Sequence, residues 1–358
     1  YRHKMKFLIK ILLLLTFVSC SSRDIKVSKY AKINDFNQYE NNYLSEEKRS
    51  IKKSKFFSFF FKNILYPPKK KKFKLMEIDK QIYNNESSLL TWAGHSTFLL
   101  QFKNTNILID PHFSLRASPF SYVGPKRYMP SIFNKENLPK VDVVAISHNH
   151  YDHLDIKTLQ IINKKFPEAM FLVPLGDKKL LLENNIQNVK EFDWWEDYKI
   201  NGIKFAFTPV QHWSKRTFFD LNKSLWGGWW IESSNFKFLH LGDTGYTQDF
   251  IDIKKTLGKP DLVAIPIGAY KPRDIMKYSH LNPDEALKTF VEFEAKKAVA
   301  MHWGTFILSQ EAVDEPIKKI KSKLKGLGIE ERQFLILKHG ETIHLNYIPG
   351  ILKRLVPA

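Results

Sequence analysis

A single cysteine, Cys20, in 358 residues leaves no intramolecular disulfide, so the fold must rest on its core alone. Acidic residues are scarce at the start of the chain. Residues 1–75 hold 19 Lys/Arg against 5 Asp/Glu, so about +14 of the formal charge of +19 lies there. The apolar run at residues 7–18 (FLIKILLLLTFV) falls short of the roughly 20 residues a spanning helix requires, which argues against a mature transmembrane segment. Neither a Gly-x-Ser-x-Gly elbow nor a phosphate-cradling P-loop is present, so nothing points to a serine nucleophile or a bound nucleoside triphosphate. Internal repeats are missing too, which excludes a solenoid. With 43% hydrophobic residues, what remains is long enough for one α/β domain of about 250 residues plus an N-terminal extension.

The extension has its own texture. Lys4, Lys6 and Lys10 flank the apolar run, and Ser19-Cys20-Ser21-Ser22 follows it, the pattern of a secretory signal (residues 1–20) ending at a lipoprotein-type cysteine. This predicts an exported, bacterial, membrane-anchored lipoprotein acylated at Cys20. Residues 21–75 are polar and lysine-rich, except for Phe56, Phe57, Phe59, Phe60 and Phe61, with a lysine run at 69–72 beyond them. Aromatic rings beside ammonium groups suit a membrane interface, where rings enter the headgroup boundary and lysines meet anionic lipid. The same interleaving can stack nucleobases. The leader favours membrane over nucleic acid, and a plain linker whose phenylalanines pack on the domain is the alternative.

From residue 76 to 358 short apolar runs punctuated by Gly, Pro, Asn and Asp replace that texture and mark the catalytic domain. Its densest chemistry is Ile146-Ser147-His148-Asn149-His150-Tyr151-Asp152-His153-Leu154-Asp155. The preceding run 141–146 (VDVVAI) reads as a buried strand, so His148 emerges where the backbone turns. His148 and His150, two residues apart, can face one metal, and Asp152 and His153 a second. Imidazole and carboxylate without thiolate suit Zn²⁺ or another borderline metal and leave positions open for water. Three further strand ends offer the missing donors: His212 after 205–211, Asp243 after 236–242 and His302 after 298–301.

These residues, with the phrases Asp110-Pro111-His112-Phe113, Gln211-His212-Trp213-Ser214, Gly242-Asp243-Thr244-Gly245-Tyr246 and His302-Trp303-Gly304-Thr305-Phe306, resemble the N-acylphosphatidylethanolamine-hydrolysing phospholipase D family of the metallo-β-lactamase superfamily. The resemblance implies a four-layer αβ/βα sandwich with a dinuclear metal site between its sheets. It further implies two Zn²⁺ per chain, one held by His148, His150 and His212, the other by Asp152, His153 and His302, with Asp243 bridging. Asp152, Asp243 and His280 would carry catalysis, Tyr151 and His280 would line the substrate pocket, and His95 and Asp110 would orient the ligands. Ser279 departs from the glutamine usual before the pocket histidine. The implied activity is hydrolysis of an N-acylphosphatidylethanolamine-like lipid, by a hydroxide held between the metals, to phosphatidic acid and an N-acylethanolamine. The implied partners are a phospholipid membrane and a phospholipid substrate, without nucleic acid, and a homodimer is left open.

Two other classes compete: a dizinc hydrolase of a soluble lactone, amide or phosphodiester, and a non-catalytic lipid- or metal-binding lipoprotein. The N-terminal segment separates the first from a lipid enzyme, since a soluble substrate does not require it. Acylation at Cys20 predicts that Cys20→Ala releases part of the protein from bacterial membranes. Mass spectrometry of the mature N-terminus checks this, and an N-terminus without an acyl adduct would refute it.

Overall fold

The computed structural model describes residues 25–44, 66–84, 87–102 and 104–345. Cys20 and the phenylalanines at 56–61 lie outside the described residues.

The first half of the domain builds one sheet from β1 (Leu89–Gly94), β2 (Thr97–Phe102), β3 (Thr105–Ile109), β4 (Val143–Ala145), β5 (Met170–Pro174) and β6 (Val189–Phe192). The second half builds another from β7 (Asp197–Ile200), β8 (Ile203–Thr208), β9 (Gly228–Glu232), β10 (Lys237–His240), β11 (Leu262–Pro266), β12 (Lys297–Met301) and β13 (Phe334–Leu335). The last strand, β14 (Thr342–His344), returns to the first sheet and pairs antiparallel with β1. Each sheet has seven strands, ordered β14-β1-β2-β3-β4-β5-β6 and β13-β12-β11-β10-β9-β8-β7. Both are mixed: hairpins open the first half, and parallel crossovers through helices follow.

Alternation along each strand assigns its faces. Phe98, Leu100 and Phe102 of β2 join Ile107 and Ile109 of β3 in the core between the sheets, where they meet Phe205, Phe207, Trp229, Ile231 and Phe238 of the second sheet. Leu99, Leu108, Val144, Phe171 and Val173 point the other way, onto Leu159 and Ile162 of helix α1 (Ile156–Lys165) and Leu181 of α2 (Lys178–Glu183). The second sheet is covered outside by α3 (Asp249–Leu257), α5 (Pro283–Phe293) and α6 (Glu315–Leu324), which contribute Phe250, Phe290, Phe293 and Ile320; a short α4 (Arg273–Met276) lies between α3 and α5 in sequence. Burial on both faces is why these strands read as continuous apolar runs in the sequence.

The strand expected at 141–146 is regular only over Val143–Ala145, although Asp142 and Ile146 still bond to the strands on either side: Asp142 N–H to the Asn106 carbonyl of β3 and Ile146 N–H to the Leu172 carbonyl of β5, both at 2.9 Å, while the Ile146 carbonyl turns to Trp229 Nε1 of the second sheet at 2.9 Å. Helix α1 begins at Ile156, just past Asp155, whose carboxylate accepts from the Ser114 N–H and the Thr158 hydroxyl. Part of the stretch read as a linker lies against the sandwich. Tyr39 is fully buried, Ser28 donates to Asp193 at 2.7 Å, and Phe73 packs edge-on against Trp303. Among the described residues no helix is long and apolar enough to cross a membrane.

The Trp229 hydrogen bond ties the second sheet to the turn that carries His148. Trp229→Phe replaces the buried indole with a smaller phenyl and leaves the Ile146 carbonyl without its donor; the lost hydrogen bond alone costs about 1–3 kcal/mol. A lowered midpoint in thermal or urea unfolding, with the fold retained by circular dichroism, checks this.

Candidate metal centre and active site

Every expected donor lies just past a strand, on one edge of the sandwich. Asp110 follows β3, the 148–153 turn follows β4, Asp243 follows β10 after Leu241-Gly242, and His302 directly follows β12; His95 occupies the β1–β2 turn. Three of these residues have left-handed backbone, with φ of 54° at His95, 44° at Asp110 and 61° at His302. Such conformations are unfavourable for residues with a Cβ and persist where neighbours dictate them. At His302 the N–H donates to the His95 carbonyl at 3.0 Å, so two of the three turns hold each other. Close approach demands glycine beside them: a Cβ on Gly268 would stand 2.0 Å from the His302 carbonyl, and one on Gly242 2.7 Å from that of Gly227.

The side chains converge as two clusters. His148 Nε2 and His212 Nε2 stand 2.9 and 3.2 Å from His150 Nδ1. Nitrogens 2.0–2.1 Å from a common tetrahedral ion are roughly 3.3 Å apart, so the three are spaced as ligands. In the second cluster Asp152 Oδ2 is 3.5 Å from both His153 Nε2 and His302 Nε2. Asp243 joins the two: its Oδ2 lies 3.0 Å from His302 Nε2, 3.3 Å from His153 Nε2 and 4.0 Å from His212 Nε2. Despite these separations His153 Nε2 and His302 Nε2 are buried without a hydrogen bond among the described residues, and so is the second oxygen of the Asp243 carboxylate, Oδ1. Donor atoms that crowd together without pointing at one another are arranged for something between them, since an unpaired buried polar atom costs about 1–3 kcal/mol. The set fits a metal ion in each cluster.

A further ring of contacts turns the ligands. Asp110, with no exposed surface, accepts from Ser147 N–H at 2.7 Å, from Ser147 Oγ at 2.6 Å and from His153 Nδ1 at 2.8 Å, which leaves His153 Nε2 for the cluster. Ser147 Oγ also meets His148 Nδ1 at 3.0 Å. His95 Nε2 sits 2.9 Å from Asp152 Oδ2, and the Ser279 carbonyl takes His212 Nδ1 at 3.0 Å. The role of residue 279 here is thus its backbone, which no side-chain motif could announce.

Burial disfavours charge on every imidazole here. It pushes His148 and His212 well below the ordinary histidine range and His150 and His280 down to about 4, leaving neutral rings with a lone pair to donate. At His302 burial acts the same way but Asp243 and Asp152 outweigh it and raise the group to about 9; His153 is raised for the same reason. Both carboxylates are held ionised by those rings against their own burial.

His280 lies at the rim, its Nδ1 3.7 Å from Asp243 Oδ2. It is placed by the start of α5: Asn282 and Glu285 form a reciprocal cap, Glu285 pairs with Arg273 at 2.8 Å, and Arg273 Nη1 holds the His280 carbonyl at 2.8 Å. Tyr151, within the 148–153 turn, donates to the Arg216 carbonyl at 3.0 Å while the Arg216 guanidinium covers its ring at 4.0 Å. Arg216 Nη1 in turn binds the carbonyls of Asn149 and Leu154.

Residues 105–303 match the Beta-lactamase superfamily domain. The chain is 37% identical over 272 residues to N-acyl-phosphatidylethanolamine-hydrolyzing phospholipase D 1 of Caenorhabditis elegans, covering 72% of this chain and 76% of that one. The chain belongs to this family of the metallo-β-lactamase superfamily. A mitochondrial N-acyl-phosphatidylethanolamine-hydrolyzing phospholipase D of Saccharomyces cerevisiae is also 37% identical, over 72% of this chain and 57% of its own length. In fold the chain is similar to an isothiocyanate hydrolase from Delia radicum gut bacteria, with a TM-score of 0.59 at 21% identity over 72% of this chain and 99% of that one. Family and donor set together make it a metal-dependent hydrolase of the β-lactamase fold.

Sequence reasoning singled out the seven residues whose side chains the structure brings together, and His95 and Asp110, which bond to Asp152 and His153. It missed Ser147, which links Asp110 to both His148 and His153, and the Ser279 carbonyl. Ser147 stood inside the quoted motif; only its adjacency to the histidines hinted at a role. Asp110→Asn retains one acceptor but turns an amide N–H₂ towards donors, so it should weaken metal affinity about 10- to 100-fold. Chelator competition on the purified variant measures this, with an unchanged affinity as the contrary result.

Proposed function

We propose that the protein is a zinc-dependent phosphodiesterase of phospholipase D type, with two Zn²⁺ per chain, that hydrolyses N-acylphosphatidylethanolamine-like glycerophospholipids to phosphatidic acid and an N-acylethanolamine. The observation that carries this reading is the pair of donor clusters sharing Asp243, in a chain 37% identical to enzymes named for that reaction. His148, His150 and His212 would hold one ion, Asp152, His153 and His302 the other, and Asp243 both. Bound divalent metal acidifies water towards neutral pH and draws off charge that builds on phosphoryl oxygens.

The chain's own groups do the rest. The water oxygen forms the new bond to phosphorus while the bond from phosphorus to the ethanolamine oxygen breaks. One proton leaves the attacking water and one reaches the departing alkoxide, so the step balances without any other reagent, and Asp152, whose Oδ2 is held by His95 Nε2 at 2.9 Å, would relay it through its other oxygen. His280, whose buried Nδ1 has no hydrogen-bond partner among the described residues and lies 3.7 Å from Asp243 Oδ2, would position the phosphodiester. Tyr151, under Arg216, would line the substrate pocket.

A lipid substrate is favoured by what flanks the site. Phe218 and Phe219, 61% and 66% exposed, sit at the tip of the loop that Arg216 binds to the 149–154 turn. Lysines 69, 70 and 72 are exposed, while Lys71 pairs with Asp314 at 2.7 Å. Each lysine near an anionic surface contributes about 1 kcal/mol, which together with acylated Cys20 and the phenylalanines at 56–61 would hold the mouth of the site against a membrane.

Mass spectrometry after incubation with mixed phospholipid vesicles tests the reading: phosphatidic acid should appear, and Asp243→Asn should abolish it while leaving the fold intact, because a neutral amide bridges two cations poorly. Cleavage of a soluble phosphodiester alone would favour a soluble substrate, and near-normal turnover by Asp243→Asn would remove the bridging role.

A further inference from the structure

His212 receives its backbone hydrogen bonds from an unexpected source. It lies beyond the end of β8, and among the described residues its N–H and C=O are met by one side chain 171 positions earlier. Asn41 Nδ2 donates to the His212 carbonyl at 2.9 Å, and Asn41 Oδ1 accepts from the His212 N–H at 2.9 Å. The orientation of the amide is fixed by a third contact, since Trp226 Nε1 stands 3.2 Å from the same Oδ1 and cannot face an N–H₂. Asn41 is only 8% exposed, so these bonds are made away from competing water.

Asn41 sits on a strap, residues 25–44, moored independently on either side. Ser28 and the Lys29 N–H bind Asp193, Tyr39 exchanges backbone and side-chain bonds with Asn222, and Asn42 Nδ2 donates to Asp249 at 2.8 Å. The strap would therefore stay docked if the Asn41 contacts were lost. Meanwhile the His212 ring is held at Nδ1 by Ser279, and only Nε2 is left to point at His148, His150 and Asp243.

We infer that Asn41 is a positioning residue for the metal centre: by clamping the peptide of His212 at both its N–H and its C=O, the N-terminal strap fixes one ligand of the cluster formed with His148 and His150. The inference rests on His212 as a metal ligand and is independent of the ester cleaved. An asparagine is required because the clamp needs a donor and an acceptor on one planar group. Aspartate has the same shape but sets a carboxylate oxygen against the His212 carbonyl.

The test compares Asn41→Asp and Asn41→Ala with Asn42→Ala in the full chain. Zinc affinity is read by chelator competition, and thermal unfolding is read on metal-free protein. Both Asn41 variants should bind zinc about 10- to 100-fold more weakly, the loss typical when the partner of a ligand is removed. Asn42→Ala, on the same strap but without contact to His212, should lower the unfolding midpoint and leave zinc affinity unchanged. Unaltered zinc affinity in an Asn41 variant that melts lower would overturn the inference and reduce Asn41 to a tether. If Asn41→Asp does not fold, Asn41→Ala, which introduces no repulsion, decides between the same two results. Because no substrate is involved, failure here leaves the proposed lipid hydrolysis standing, and failure of that activity leaves this result standing.

Discussion

Three carboxylates gathered at one end of the sandwich set the terms for this structure. Asp110 and Asp243 are buried and Asp152 is 14% exposed, and an uncompensated buried ion costs several kcal/mol. Each is answered differently. Asp110 is satisfied by Ser147 and by the Nδ1 edge of His153; Asp152 by His95, His153 and His302; Asp243 by a surround of imidazoles that leaves one oxygen unpaired. The first arrangement is closed, and the last is open to a cation. That gradient, from a fully bonded carboxylate behind the ligands to an underbonded one between them, distinguishes a metal centre from an ordinary buried ion pair.

Holding the donors there requires turns that the chain would not adopt alone. Left-handed backbone at His95, Asp110 and His302 costs about 1–3 kcal/mol at each position. The offset comes from the dry aromatic and aliphatic layer between the sheets, where Phe98, Phe207, Trp229 and Phe238 interlock. Bonds that cross from one half to the other keep the turns in register: Trp229 to the Ile146 carbonyl, Gly227 N–H to the Ser147 carbonyl, and His302 N–H to the His95 carbonyl. The two sheets and the site are thus one mechanical unit, and a disturbance of the interface reaches the ligands within a residue or two.

The N-terminal strap extends this unit outside the sandwich. It supplies no metal donor, yet it closes backbone bonds at His212 that no strand provides. Beyond it in the chain lies the Phe- and Lys-rich stretch.

The candidate donors were readable along the chain. His-x-His-x-Asp-His is too restrictive a spacing for a chance polar loop, and buried strands leave apolar runs whose ends are easy to find, so His212, Asp243 and His302 were visible as residues that follow such runs. The limits of β4 were less legible: its regular part is shorter than the apolar run 141–146, although Asp142 and Ile146 keep bonds to β3 and β5. Tertiary structure alone decided which atoms meet. The Ser279 carbonyl acts through its backbone and carries no residue signature, and Ser147 gains its role from the turn that sets it between Asp110 and two histidines. Asn41 was invisible because it lies among polar residues that read as linker, and its partner is reached only after the chain has closed both sheets. Side-chain periodicity reports burial, whereas these contacts depend on long-range closure, which local sequence does not encode.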